Sequence, residues 1–191
     1  MDVIYRTYYN GEFDKGYIDR IGLVKCGEIS LMNKPRGGLW GCRGTEWLEW
    51  CNAEHFRSYD SYYTWKLTKD AKLFYIDSVE DIVKLFSYKS PIPSHGSLAN
   101  MLPDSIDWSK VQKDYDAVEI SPHIAYNYRT IPESILGVNN WFGFSAWDVP
   151  SICVFNKDKV ELIDVVKERK ENETEKTRRS ISSKSAYISA R

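Results

Sequence analysis

Two adjacent glycines, Gly37 and Gly38, join Lys34-Pro35-Arg36 to Leu39-Trp40-Gly41-Cys42. Nothing else in the chain restricts the fold as tightly. Residues without a Cβ permit backbone conformations and close approaches that side chains block. Large aromatic residues follow at once. Thr45 is a candidate N-cap, and behind it Trp47, Trp50, Cys51 and Glu54 fall at helical spacing. The expectation is a backbone-lined pocket edge with an aromatic wall, the alternative being a tight turn into a strand. The run has neither the G-x-x-x-x-G-K-[ST] spacing of a P-loop nor the G-x-G-x-x-G of a dinucleotide turn. Arg36 and Arg43 flank it and either hold a pyrophosphate through forked hydrogen bonds or, as is commoner, sit in solvent.

Short strands dominate the remaining pattern. Val3 to Tyr9 is rich in β-branched and aromatic residues, which suits a first strand, and Asn10-Gly11 ends it as a turn. Phe13 to Lys34 has weak periodicity and reads as loop. Tyr62 to Leu67 and Lys72 to Ile76 read as strands. Ser78 then caps a helix over Val79 to Phe86, with Asp81 in the capping-box position. Pro91 to Pro103 is a long loop of the kind that is often functional or disordered. Ile106 to Asp114 reads as a short helix and Asp116 to Ser121 as a strand. Late strands are expected around Trp147 and over Ile152 to Phe155, and a strand or helix over Val160 to Val166. These elements fit an α+β fold with a largely antiparallel sheet and a few short helices. A single domain over residues 1–166 is expected, followed by a charged, flexible C-terminal tail over 167–191.

The 191 residues carry a net charge of -1, which argues against a general nucleic-acid binder. Aromatic residues make up 14% of the chain, enough to supply stacking surfaces as well as core. No apolar run is long enough to span a membrane and no signal peptide is evident, so a cytoplasmic protein without membrane partners is expected. The four cysteines form no C-x-x-C pair, which gives zinc little support. His55, His95 and His123 are scattered without a ligand or nucleophile pattern. Phe142-Gly143-Phe144-Ser145-Ala146 is not the G-x-S-x-G elbow of serine hydrolases.

Glu119 stands out in Tyr115-Asp116-Ala117-Val118-Glu119-Ile120. Strand alternation puts Val118 and Ile120 on one face and Ala117 and Glu119 on the other. A carboxylate in a short apolar strand is costly unless it is exposed or used. It is therefore either a solvent-facing edge position or a carboxylate lining a cleft. Arg6 and Thr7 occupy a comparable place in the first strand.

Three segments together resemble the ADP-ribosyltransferases. Tyr5-Arg6-Thr7 looks like their first-strand motif, Gly38-Leu39-Trp40-Gly41-Cys42 like their glycine-aromatic strand before a short helix, and Asp116-Ala117-Val118-Glu119 like their acidic strand. The chain is also similar to small phage and prophage proteins with a K-P-x-G-G-L-W signature. The resemblance implies a split, largely antiparallel sheet and NAD as the dinucleotide. It assigns Glu119 to the charge-stabilising role, Arg6 to the diphosphate or ribose, and backbone of Gly38 and Leu39 to the nicotinamide amide, with Thr7 and Trp40 also among the cofactor-binding residues. Trp47 or Tyr75 would stack on the ring. The acceptor would be a host protein or nucleic acid, as for a phage factor that disables a host defence, anti-CRISPR proteins included. Two departures stand against this. Gly41-Cys42 replaces the usual hydroxyl residue, and Ala117 replaces the first acidic or amide residue of the arginine-modifying enzymes. The rival expectations are a non-enzymatic protein that binds and inhibits a host factor, and a nucleic-acid-modifying enzyme of related fold.

Overall fold

The computed structural model describes residues 2–10, 34–90, 105–127 and 147–167. The expected loop at Phe13 to Lys34, apart from Lys34 itself, the loop from Pro91 to Pro103 and the tail beyond Lys167 lie outside them. The described part is an α+β arrangement of two main sheets and short helices. One sheet has the order β1-β3-β9, from β1 (Tyr5–Tyr9), β3 (Ser61–Leu67) and β9 (Val160–Lys167), all antiparallel. The other has the order β2-β8-β7-β4, from β2 (Leu39–Gly41), β4 (Leu73–Ile76), β7 (Ala117–Ile120) and β8 (Ile152–Val154). Here β4 and β7 run parallel, so this sheet is mixed. Parallel neighbours need a long crossover. Between them lie α2 (Val79–Phe86), a two-stranded ribbon of β5 (Lys89–Ser90) and β6 (Ser105–Ile106), and α3 (Trp108–Asp114).

Strand alternation sorts the core into two layers. Phe74, Ile76, Val118, Ile120 and Cys153 face the helices and pack with Ile82, Leu85, Trp108, Val111 and Ile124. Ala117, Ile152, Val154 and Leu39 face the other sheet and pack with Tyr5, Tyr63 and Trp65. The predicted two-faced reading of residues 117–120 is therefore what the fold contains. The edge reading of Glu119 is not. The β7 strand lies between β8 and β4, and Glu119 is only 3% exposed on the inter-sheet face.

Local signals are well obeyed in α2. The Ser78 hydroxyl accepts from the Asp81 amide while the Asp81 carboxylate accepts from the Ser78 amide, a complete capping box. Thr45 precedes α1 (Glu46–Ala53) but makes no side-chain cap bond; its backbone is not extended as at Ser78, and its hydroxyl donates to Glu49. Of the strand expected around Trp147, the described residues 147–150 form no part. Trp147 is a buried, non-strand residue packed against Trp40. A short helix α4 (Pro122–Asn127) follows β7, outside the sequence expectation.

The glycine run does what its composition requires. Gly37 and Gly38 both adopt positive φ, at 83° and 73°. A Cβ on Gly38 would lie 2.6 Å from Cys153 Sγ and 2.8 Å from the Val154 carbonyl oxygen. Gly41 admits the Trp65 ring, which would lie 2.7 Å from a Cβ there. Just beyond it, Arg6 and Cys42 exchange backbone hydrogen bonds of 2.7 and 3.0 Å, the bridge that ties the two sheets together. Gly38→Ala combines overpacking with a disfavoured φ and is expected to lower unfolding free energy by about 2–4 kcal/mol. Urea unfolding measures this, and a loss below about 0.5 kcal/mol would contradict the close packing.

Candidate functional site

The Arg6–Cys42 bridge opens a cleft between the ends of β1 and β2, α1 and the segment 147–151. Its volume is about 640 Å³, within the range of small-molecule sites. Arg6, Thr7, Trp40 and Trp47, all expected site residues, line it together with Gly41 and Cys42. Lys34, the first residue of the K-P-x-G-G-L-W signature, also contributes, as do Arg57, Tyr59 and Asp148, which no motif in the sequence singled out. Among the described residues the cleft therefore carries three cationic side chains, Arg6, Lys34 and Arg57, against the carboxylate of Asp148, with aromatic walls.

Each wall has a structural cause. Trp47 and Trp50 stack at 5.0 Å because they sit three apart on α1. The helix ends with the Phe56 amide on the Cys51 carbonyl and the His55 amide on that of Asn52, the Schellman pattern, with His55 at φ 52° where glycine is usual. That turn folds Phe56 back to 5.5 Å from Trp50. Thr7 is structurally committed: its hydroxyl donates to the Trp40 carbonyl at 2.6 Å and accepts from the Trp65 indole at 2.9 Å. The Arg6 guanidinium lies 5.2 Å from the Tyr62 ring centroid. Lys34 lies 4.8 Å from that of Trp40, and burial lowers its pKa. Burial likewise pushes the Cys42 thiol up to about 11, so it is a protonated, unreactive group at neutral pH.

Gly38 and Leu39 do not line the cleft; they are packed beneath it against Cys153 and Val154. Glu119 and Tyr75 form a second cluster. Arg43 Nε and Nη2 donate to the two oxygens of Glu119 at 2.6 and 2.9 Å, a forked ion pair. The Tyr5 hydroxyl donates to Glu119 Oε2 at 2.9 Å. The Arg43 guanidinium also lies 5.2 Å from the Tyr75 ring centroid. The hydrogen bond to Glu119 raises the Arg43 pKa, and burial with the neighbouring carboxylate raises that of Tyr5. The sequence offered Arg43 as a pyrophosphate holder or a solvated side chain; it is paired with a carboxylate from a strand far along the chain.

The two clusters share a boundary. Tyr5 precedes Arg6 and Cys42 precedes Arg43, so the sheet-joining bridge has the cleft on one side and Glu119 on the other. Among the described residues no group of His, Cys, Asp and Glu is arranged to hold a metal ion. No helix among them is long and apolar enough to cross a membrane. Comparison with protein-family models, curated proteins and solved structures yields no match.

A buried hydrogen bond to a charged acceptor contributes about 1.5–3 kcal/mol, so Tyr5→Phe is expected to destabilise the fold by that amount. In a Glu119→Gln background the loss should fall below about 1 kcal/mol. A double-mutant cycle by chemical denaturation checks this; equal losses in both backgrounds would show that Tyr5 acts through packing alone.

Proposed function

We propose that the protein is an ADP-ribosyltransferase-like enzyme that takes NAD in the cleft between β1, β2 and α1. The observation that carries this reading is the convergence of Arg6, Thr7, Trp40 and Trp47 on one cleft whose boundary is shared with a buried carboxylate. The lining suits a dinucleotide. Arg6 and Arg57 offer forked donors for a diphosphate, and Trp40, Trp47 and Tyr59 offer faces for planar rings. Aromatic faces and guanidinium groups together recognise nucleotides without base-specific hydrogen bonds.

The chemistry asked of this site is charge stabilisation. When the nicotinamide–ribose bond breaks, nicotinamide leaves with the bonding pair and positive charge develops on the sugar, as in glycoside cleavage. An acceptor nucleophile then bonds to that carbon and gives up its proton. Glu119, across the bridge from the cleft, is the carboxylate that would stabilise this positive charge. For that, Arg43 has to yield the carboxylate oxygens it holds. Trp47 is the wall available for stacking, whereas Tyr75 stands with Arg43. A host protein or nucleic acid would be the acceptor.

One observation favours a second reading. Both Glu119 oxygens already have donors, and Phe56 is 59% exposed beside Trp47 and Trp50. That arrangement suits a non-enzymatic protein that grips a host factor through its aromatic surface.

The test is nicotinamide release from NAD. Glu119→Gln should slow it by about 10²–10³-fold while NAD affinity stays within a few-fold. Wild-type turnover in that variant would remove Glu119 from the chemistry. Absence of calorimetric NAD binding to the unaltered chain would remove the enzyme reading and leave stoichiometric binding of a partner, indifferent to NAD.

A further inference from the structure

Three side chains from three strands converge on the Arg43 guanidinium. Glu119 in β7 gives two carboxylate oxygens at 2.6 and 2.9 Å. Tyr75, its register partner in β4, gives a ring face at 5.2 Å. Tyr5 in β1 donates to Glu119 Oε2 at 2.9 Å and fixes the carboxylate from the other sheet. Glu119 and Tyr5 are 3% and 2% exposed, so sheet packing sets their positions. Arg43 differs in kind. It comes from the turn between β2 and α1, and its side chain is 44% exposed.

We infer that Glu119, Tyr75 and Tyr5 form a subsite for a planar organic cation, and that Arg43 is its displaceable occupant. A carboxylate buried this deeply cannot be left without a counter-charge, because an uncompensated buried ion is strongly destabilising. Exchanging one cation for another avoids that penalty. Arg43 is the partner able to leave, since its exposed side already meets water. Planarity matters because the carboxylate presents two oxygens side by side and the ring presents a face. A flat, delocalised cation uses both at once, whereas a compact ammonium uses them poorly. The subsite has no need of the proposed NAD chemistry, although positive charge built in that reaction would meet the same carboxylate.

The test uses Arg43→Ala with two probes, methylguanidinium and the pyridinium cation 1-methylnicotinamide, and tetramethylammonium as a non-planar control. Calorimetry and thermal unfolding read the outcome. At least one planar probe should bind Arg43→Ala about tenfold more tightly than it binds the unaltered chain and should raise its melting temperature. Adding Glu119→Gln should abolish the gain. Preference for methylguanidinium points to an arginine-type ligand, and preference for 1-methylnicotinamide to a pyridinium. No gain with either probe, or an equal gain with tetramethylammonium, overturns the proposal. Should Arg43→Ala fail to fold, the Arg43 Nε–H resonance of the unaltered chain reads the same competition. It should shift as a planar probe is titrated at non-denaturing concentration, and a resonance that stays fixed overturns the proposal. Failure of nicotinamide release leaves this outcome untouched, so the two readings fail separately.

Discussion

A carboxylate in the inter-sheet layer is the constraint around which the rest of this structure is arranged. Glu119 sits on the face of β7 that packs against the other sheet, beside Ala117 and Ile152, where most neighbours are apolar. Burial of that kind is tolerable only with a counter-charge and full hydrogen bonding. Arg43 provides the charge and Tyr5 the third donor. Both arrive through the same device, the backbone bridge between Arg6 and Cys42, since each is the immediate neighbour of a bridged residue. The ion pair and the junction of the sheets are thus one feature seen from two sides.

The same junction makes the cleft. Two sheets can approach this closely only where a side chain is missing, and Gly41 is that position, with the Trp65 ring lying against it. Thr7 then links Trp65 to the Trp40 carbonyl and fixes the first strand against the second. On the far side the stacked pair Trp47–Trp50, with Phe56 beside it, forms an aromatic wall. Aromatic faces next to the Arg6 and Arg57 guanidinium groups are the physical basis for the proposed binding of a nucleotide in this cleft.

What the sequence disclosed follows from the range of the forces involved. The capping box of α2 and the positive-φ glycines depend on neighbours a few residues apart, and both were legible. So was the two-faced pattern of Ala117 to Ile120, a consequence of strand geometry. The Trp47–Trp50 stack is a helical spacing and was equally legible. The burial of Glu119 was not, because it depends on β4 pairing in parallel beyond β7, a non-local choice. The partner of Arg43 was hidden for the same reason. Thr45 read as a cap because composition alone cannot show that its hydroxyl turns to Glu49. Trp147 read as a strand residue because it is apolar, yet it is buried as a packing partner of Trp40 without joining a sheet.

The central claim is that the carboxylate and the aromatic cleft act as one site. A crystal structure with NAD bound tests it most directly. In that complex the diphosphate should lie against Arg6, a ring should stack on the Trp47 wall, and Glu119 should be within hydrogen-bond distance of the nicotinamide ribose with Arg43 swung away. A dinucleotide seated elsewhere, or seated in the cleft with the Arg43–Glu119 pair intact and the ribose out of reach, would contradict it.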